Sequence, residues 1–282
     1  MTSDQQQSFV GRFTEMCQAD ARVVAAFLGG SHAAGTADAY SDLDVYAIID
    51  DEAYDGFFAE RRAFMRGLGE PLFLEDFNAF GFDMLNFQYV GGVEGELALA
   101  RASRFTHIHG GPFTPLVDKQ GVLAEVVFPW YRPTPAEQGE NLHGLIFWFW
   151  RDMSVFIKAM GRGQFWYAYG QVERARVRCV NLARLSVDFT EGAEGYEKLE
   201  AAVPGERLRS LQATFCLLER AALFEAAGRL LRCYEELAVP LAAAHGVIYP
   251  ADLARQVSGR LERLRLGQSD TTVEGTPHPA GG

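Results

Sequence analysis

The chain of 282 residues is short of several things at once. It holds four cysteines, Cys17, Cys179, Cys216 and Cys233, with neither a CxxC pair nor any other ligand spacing. A zinc site or a disulfide framework is therefore excluded as its organising feature, and the four thiols are read as reduced core residues. Long hydrophobic runs are missing too. The densest, Leu142 to Trp150, contains His143 and stops at Arg151, well short of a membrane span. The opening MTSDQQQ lacks the basic-then-apolar order of a secretory signal, so a cytoplasmic protein with no membrane contact is expected. Positive charge is the minority sign, 26 basic against 37 acidic residues, which gives a formal charge of -11. Affinity for nucleic acid comes from neutralised phosphates, so a general nucleic-acid binder is disfavoured. A cationic small molecule suits this field better.

What is present is ordinary for a globular protein, with 48% hydrophobic and 22% charged residues. The length allows one large domain or two ordinary ones. Apolar residues from Ser3 to Ala19 recur at helical spacing and predict an amphipathic first helix. Continuous apolar runs over Val23–Leu28 and Leu43–Ile49 predict buried strands, and Tyr54 to Leu68 returns to helical spacing until Gly69 and Pro71 stop it. Phe82–Val90 and Val93–Ala98 flank Gly91 and Gly92, the signature of a hairpin. The expected class is α/β (α+β), with a mixed sheet.

From Thr134 the texture changes. Thr134, Pro135 and Glu137 make a capping box with proline at the first helical position. Helices are predicted over 134–160, 164–188, 206–227, 229–245 and 250–264, with Gly228 among the breaks. The expected domains are thus 1–133, 134–266 as a helical part that closes on nucleotide and substrate, and a disordered tail over 267–282.

The informative segment is FLGGSHAAGTADAYSDLDVYAII. An apolar strand ends in Gly29, Gly30 and Ser31, ten residues follow, and Asp42 and Asp44 open a second strand. Glycines at a strand-to-helix turn let backbone N–H groups reach phosphate oxygens, and a helix N-terminus favours anionic charge. Residues two apart on a strand share a face, so Asp42 and Asp44 present two carboxylates together. Such a pair suits magnesium, commonly held by one or two carboxylates plus substrate phosphates. Gly29, Gly30 and Ser31 are accordingly the nucleotide-binding candidates, and Asp42 and Asp44 the metal ligands. His107 and His109 alternate like a strand metal pair, but no third ligand accompanies them.

Across residues 23–100 this pattern resembles the nucleotidyltransferase superfamily of the DNA polymerase beta type. In size and helical addition the chain is similar to the antibiotic nucleotidyltransferases that adenylylate aminoglycosides or lincosamides. The resemblance implies a Mg2+-dependent enzyme moving a nucleoside monophosphate, AMP from ATP by expectation, onto a small-molecule hydroxyl with release of pyrophosphate. It also implies a third carboxylate on a later strand. Asp83, Glu94 and Glu96 are the candidates, and Glu96 is favoured because Gly95-Glu96-Leu97 after a glycine hairpin reproduces the family's Gly-Glu-apolar form. The catalytic set read this way is Asp42, Asp44 and Glu96. Two other readings stay open: a protein-modifying, antitoxin-like nucleotidyltransferase and a non-catalytic nucleotide-binding module. A homodimer is one compatible assembly.

Overall fold

The computed structural model describes residues 4–78, 80–190 and 194–267. Contacts within the chain divide it into two units, Met1–Tyr131 and Arg132–Gly282. The predicted tail, beyond Gly267, lies outside the described residues.

The first unit begins with α1 (Asp4–Ala19), β1 (Val23–Leu28), a short α2 (Gly30–Ala34), β2 (Leu43–Ile49) and α3 (Tyr54–Gly67). Four strands follow, β3 (Pro71–Phe77), β4 (Asp83–Tyr89), β5 (Glu94–Arg101) and β6 (Thr114–Asp118). They form one mixed sheet in the order β3-β4-β5-β2-β1-β6, in which β2 and β5 run parallel and every other neighbouring pair is antiparallel. The mixed α/β class expected from the sequence is the one found.

Strand periodicity distributes the core. Leu43, Val45, Ala47 and Ile49 of β2 join Leu97 and Leu99 of β5 and Leu85 and Phe87 of β4 under α1 and α3, which supply Phe9, Phe13, Phe57 and Met65. The opposite face carries Tyr46 and Ile48, packed with Phe27 of β1 and with Phe105, Ile108, Leu123 and Phe128 of the loops around β6. Two strands were not anticipated. Both β3 and β6 are edge strands containing a proline, which lacks a backbone donor and is tolerated only where one ladder partner is missing. Leu72 and Phe73 of β3 also remain exposed, so no apolar alternation announces the strand.

In the second unit α4 spans Pro135–Gly161 and α5 Phe165–Leu185, followed by α6 (Leu199–Ala202), α7 (Gly205–Gln212), α8 (Arg220–Ala244) and α9 (Ala251–Arg265). The capping box at Thr134 is formed: its hydroxyl accepts from the Glu137 backbone N–H, and the Glu137 carboxylate accepts from Thr134 N–H. Phe149 stacks on Tyr234 at 3.7 Å between ring centroids, and the Tyr234 hydroxyl donates to the Ile146 carbonyl. The predicted helices over 206–227 and 229–245 are redivided. The chain leaves helical geometry between Gln212 and Arg220, where the buried Arg176 guanidinium donates to the Thr214 carbonyl and hydroxyl and stacks over Phe215. Gly228, expected to break a helix, lies inside α8. A helical glycine costs about 1 kcal/mol relative to alanine, and burial of Leu223, Phe224, Leu230 and Tyr234 on one face outweighs it.

Candidate active site

The site is set by the parallel pairing of β2 and β5. In their register Asp44 lies opposite Glu96 and Leu43 opposite Gly95. A methyl group at Gly95 would come within 2.1 Å of the Leu43 carbonyl oxygen, so only glycine lets the two backbones meet this closely. Asp44 and Glu96 thereby share the sheet face opposite α1 and α3. Asp42 stands exposed just before β2 and acts electrostatically on both.

The glycine turn lies over the same spot. The Gly29 N–H donates to the Asp44 carbonyl at 2.9 Å, fastening the end of β1 to β2. Gly30 follows with φ +57, a left-handed conformation natural to glycine, and opens α2. A Cβ on Gly30 would lie 1.7 Å from the Asp44 carboxylate oxygen, so the turn crosses the carboxylate with no room for a side chain. Ser31 comes next with its hydroxyl buried and without a hydrogen-bond partner.

Charge is left unneutralised here. Burial, then the neighbouring charges of Asp42 and Glu96, push the Asp44 carboxyl up to about 6. Burial and Asp42 raise Glu96 in the same direction. Among the described residues none of the three carboxylates makes an ion pair, which is the condition in which acids accept a cation. Among the described residues no three acid, histidine or cysteine side chains are grouped closely enough to hold a metal by themselves, so magnesium here would take Asp42 and Asp44 together with the phosphates of a ligand, for which the glycine cradle and the unpartnered buried hydroxyl leave a place.

The rival acids go elsewhere. Asp83 shares its β4 face with Leu85 and Phe87, so it points toward α3, where its carboxylate accepts the Tyr54 hydroxyl at 2.6 Å. Glu94 is exposed at the start of β5 and accepts from the Gln88 amide. The two histidines also separate: His107 packs against Phe82, and His109 lies under Gly29 with its Nδ1 3.1 Å from the Tyr46 hydroxyl. His32, next to Ser31, is half-buried and close to Asp42, whose charge opposes the larger effect of burial in lowering its pKa. Neither Tyr46 nor His109 stood out in the sequence as part of this site, because what places them there is tertiary contact.

No helix among the described residues is long and apolar enough to cross a membrane. No curated protein sequence matches the chain. Two solved structures resemble it at low identity. One is an aminoglycoside 6-adenyltransferase from Bacillus subtilis, 12% identical over 94% of this chain and 99% of that chain, with a TM-score of 0.43. The other is a nucleotidyltransferase-like protein from Exiguobacterium sibiricum 255-15, 11% identical over 94% and 80% of the respective chains, with a TM-score of 0.40. The sequence pattern of the streptomycin adenylyltransferases matches residues 4–264, nearly the whole chain. The chain belongs to the streptomycin adenylyltransferase family and is an adenylyltransferase.

Proposed function

We propose that the protein transfers AMP from ATP to a hydroxyl group of a cationic aminoglycoside and releases pyrophosphate. The observation that carries this reading is Asp44 lying beneath Gly30, opposite Glu96 in the strand register and within the field of Asp42, with no ion pair to any of the three among the described residues. The family description names streptomycin, an aminoglycoside, and the formal charge of -11 favours a cationic acceptor.

Asp42 and Asp44 would hold magnesium, which when bound neutralises phosphate charge and polarises the α-phosphoryl group. Gly30 and Ser31 offer backbone N–H groups and a hydroxyl to the phosphates, orienting the triphosphate so that pyrophosphate departs in line with the attacking oxygen. Glu96 accepts the proton of the acceptor hydroxyl as its oxygen bonds to the α-phosphorus and the bond to pyrophosphate breaks. Its raised pKa brings it nearer to neutrality, where a carboxylate is a better general base. The protein's part is position and electrostatics.

A panel of aminoglycosides and lincosamides incubated with ATP and magnesium, with mass spectrometry for an added AMP, tests this directly. Adenylylated aminoglycoside is expected. Product on a lincosamide alone moves the acceptor class, and AMP appearing only on a protein replaces it with the antitoxin-like activity. Acceptor KM should also rise steeply from about 0.05 to 0.5 M salt, over which the Debye length falls from roughly 14 to 4 Å.

A further inference from the structure

Two aromatic side chains outside the acid cluster press against the glycine turn. Tyr46 follows Asp44 by two positions on β2 and so stands on the same face, its ring stacked on Phe27 with centroids 4.4 Å apart and planes 5° apart. His109, from the loop between β5 and β6, meets Tyr46 edge-on at 4.9 Å and Phe128 at 5.0 Å. A methyl group on Gly29 would lie 2.7 Å from His109 Cε1 and 2.8 Å from Tyr46 Cε2. The two rings are thus the surface on which Gly29 rests, as the Asp44 carboxylate is the surface under Gly30.

Their hydrogen bonds fix this surface. His109 Nε2 lies 3.0 Å from the Pro112 carbonyl, which can only accept, so Nε2 carries the proton. Nδ1 is then the acceptor, and the Tyr46 hydroxyl 3.1 Å away donates to it. The chain Tyr46 O–H, His109, Pro112 carbonyl locks both rings in rotation as well as in place. A purely space-filling role would require the rings alone, and Phe27, Phe113 and Phe128 already fill this side of the core.

We infer that Tyr46 and His109 are positioning residues for nucleotidyl transfer, acting as a hydrogen-bonded pair that sets the Gly29–Gly30 turn at its height over Asp44. The inference rests on the proposed use of that turn for the phosphates. Misplacement by about 1 Å at such a site costs up to about a hundredfold in rate, so a support under the turn controls function without touching the nucleotide.

The test measures ATP affinity by calorimetry with and without magnesium, together with kcat, KM and melting temperature, on the full chain. His109→Ala is expected to raise the ATP Kd and KM about tenfold and leave the acceptor KM unchanged. Tyr46→Phe, which keeps the ring and removes only the donor, should raise the ATP Kd about threefold, the worth of one hydrogen bond. Gly29→Ala should weaken ATP binding in the wild-type background yet cost much less when added to His109→Ala, because the methyl group then enters vacated space. A folded His109→Ala with wild-type ATP affinity, a silent Tyr46→Phe, or strict additivity of Gly29→Ala and His109→Ala would each overturn the inference. Should His109→Ala fail to fold, Tyr46→Phe carries the same test alone. Failure of the underlying reading looks different: the wild-type protein would not bind ATP, or Asp44→Asn would transfer AMP normally.

Discussion

At one end of β5, Glu96 stands beside Asp44 and Asp42, and none of the three makes an ion pair among the described residues. At the other end Asp51, Asp55 and Asp83 each have a partner, the first accepting from the Ser103 N–H. Arg101 donates to the Asp51 carbonyl and to the Asp55 carboxylate, both at 2.6 Å, and lies over the Tyr54 ring, whose hydroxyl donates to Asp83. A cavity of about 530 Å³ opens at this second end, lined by Arg101, Arg104, Asp83 and Tyr54. Carboxylates stand at both ends, so their number does not separate the two. Compensation does: at one end arginines stand among the acids and Arg101 pairs with Asp55, and at the other three carboxylates stand together with no ion pair among the described residues.

The sharpest way to break this contrast is Asp44→Asn. If Asp44 holds magnesium as proposed, its loss removes several kcal/mol of charge stabilisation, so kcat should fall at least about a thousandfold in a pyrophosphate-release assay. Its melting temperature should stay level or rise, because the amide sheds the cost of burying a charge and, after it, the repulsion from Asp42 and Glu96, which together raise the acid to about 6. A large loss of stability would place Asp44 with the structural acids instead.

Glu96→Gln and Asp83→Asn should then diverge. The first should lower kcat by about 10²- to 10⁴-fold and spare ATP affinity, as expected for a general base. The second should leave turnover near wild type and lower stability by about 1 kcal/mol, since the Tyr54 hydroxyl loses a charged acceptor. Reversal of the two outcomes would move the base to the other end of the strand.

The smallest effect concerns pH. The folded value of Asp44, about 6, lies above its ordinary value of 3.8, so the native state binds this proton more tightly than the unfolded chain does. The group's contribution to stability is present below about pH 4 and lost as pH rises through about 6. Melting temperatures of the magnesium-free protein should show this loss, millimolar magnesium should offset it at neutral pH, and Asp44→Asn should flatten it.

How much of this was legible in sequence follows the same division. Val23–Leu28 announced itself as an unbroken apolar run and Leu43–Ile49 as one interrupted only by Asp44, the way strands largely buried on both faces read, and the Gly-Gly-Ser and Asp-x-Asp spacing drew attention to the turn and two acids. The edge strands β3 and β6 carried no such run. Of the three later acids, sequence alone left the choice to resemblance, although a clue was present: Asp83 keeps step with Leu85, Phe87 and Tyr89, an apolar alternation that marks the helix-covered face. His109 was legible only as half of an alternating histidine pair, not as a neighbour of the turn. Its relation to Gly29 exists only once the loop before β6 folds back across β1.

Gly95 bears on how such an enzyme could diverge. The spacing of Asp44 and Glu96 is governed by the absence of one methyl group between two backbones rather than by either acid. A side chain at that position would press on the backbone of strands that also form the centre of the sheet, so a change there disturbs the fold along with the acids. The distance between the two acids is thus held by the backbone, and substitutions that spare it fall on side chains elsewhere in the protein.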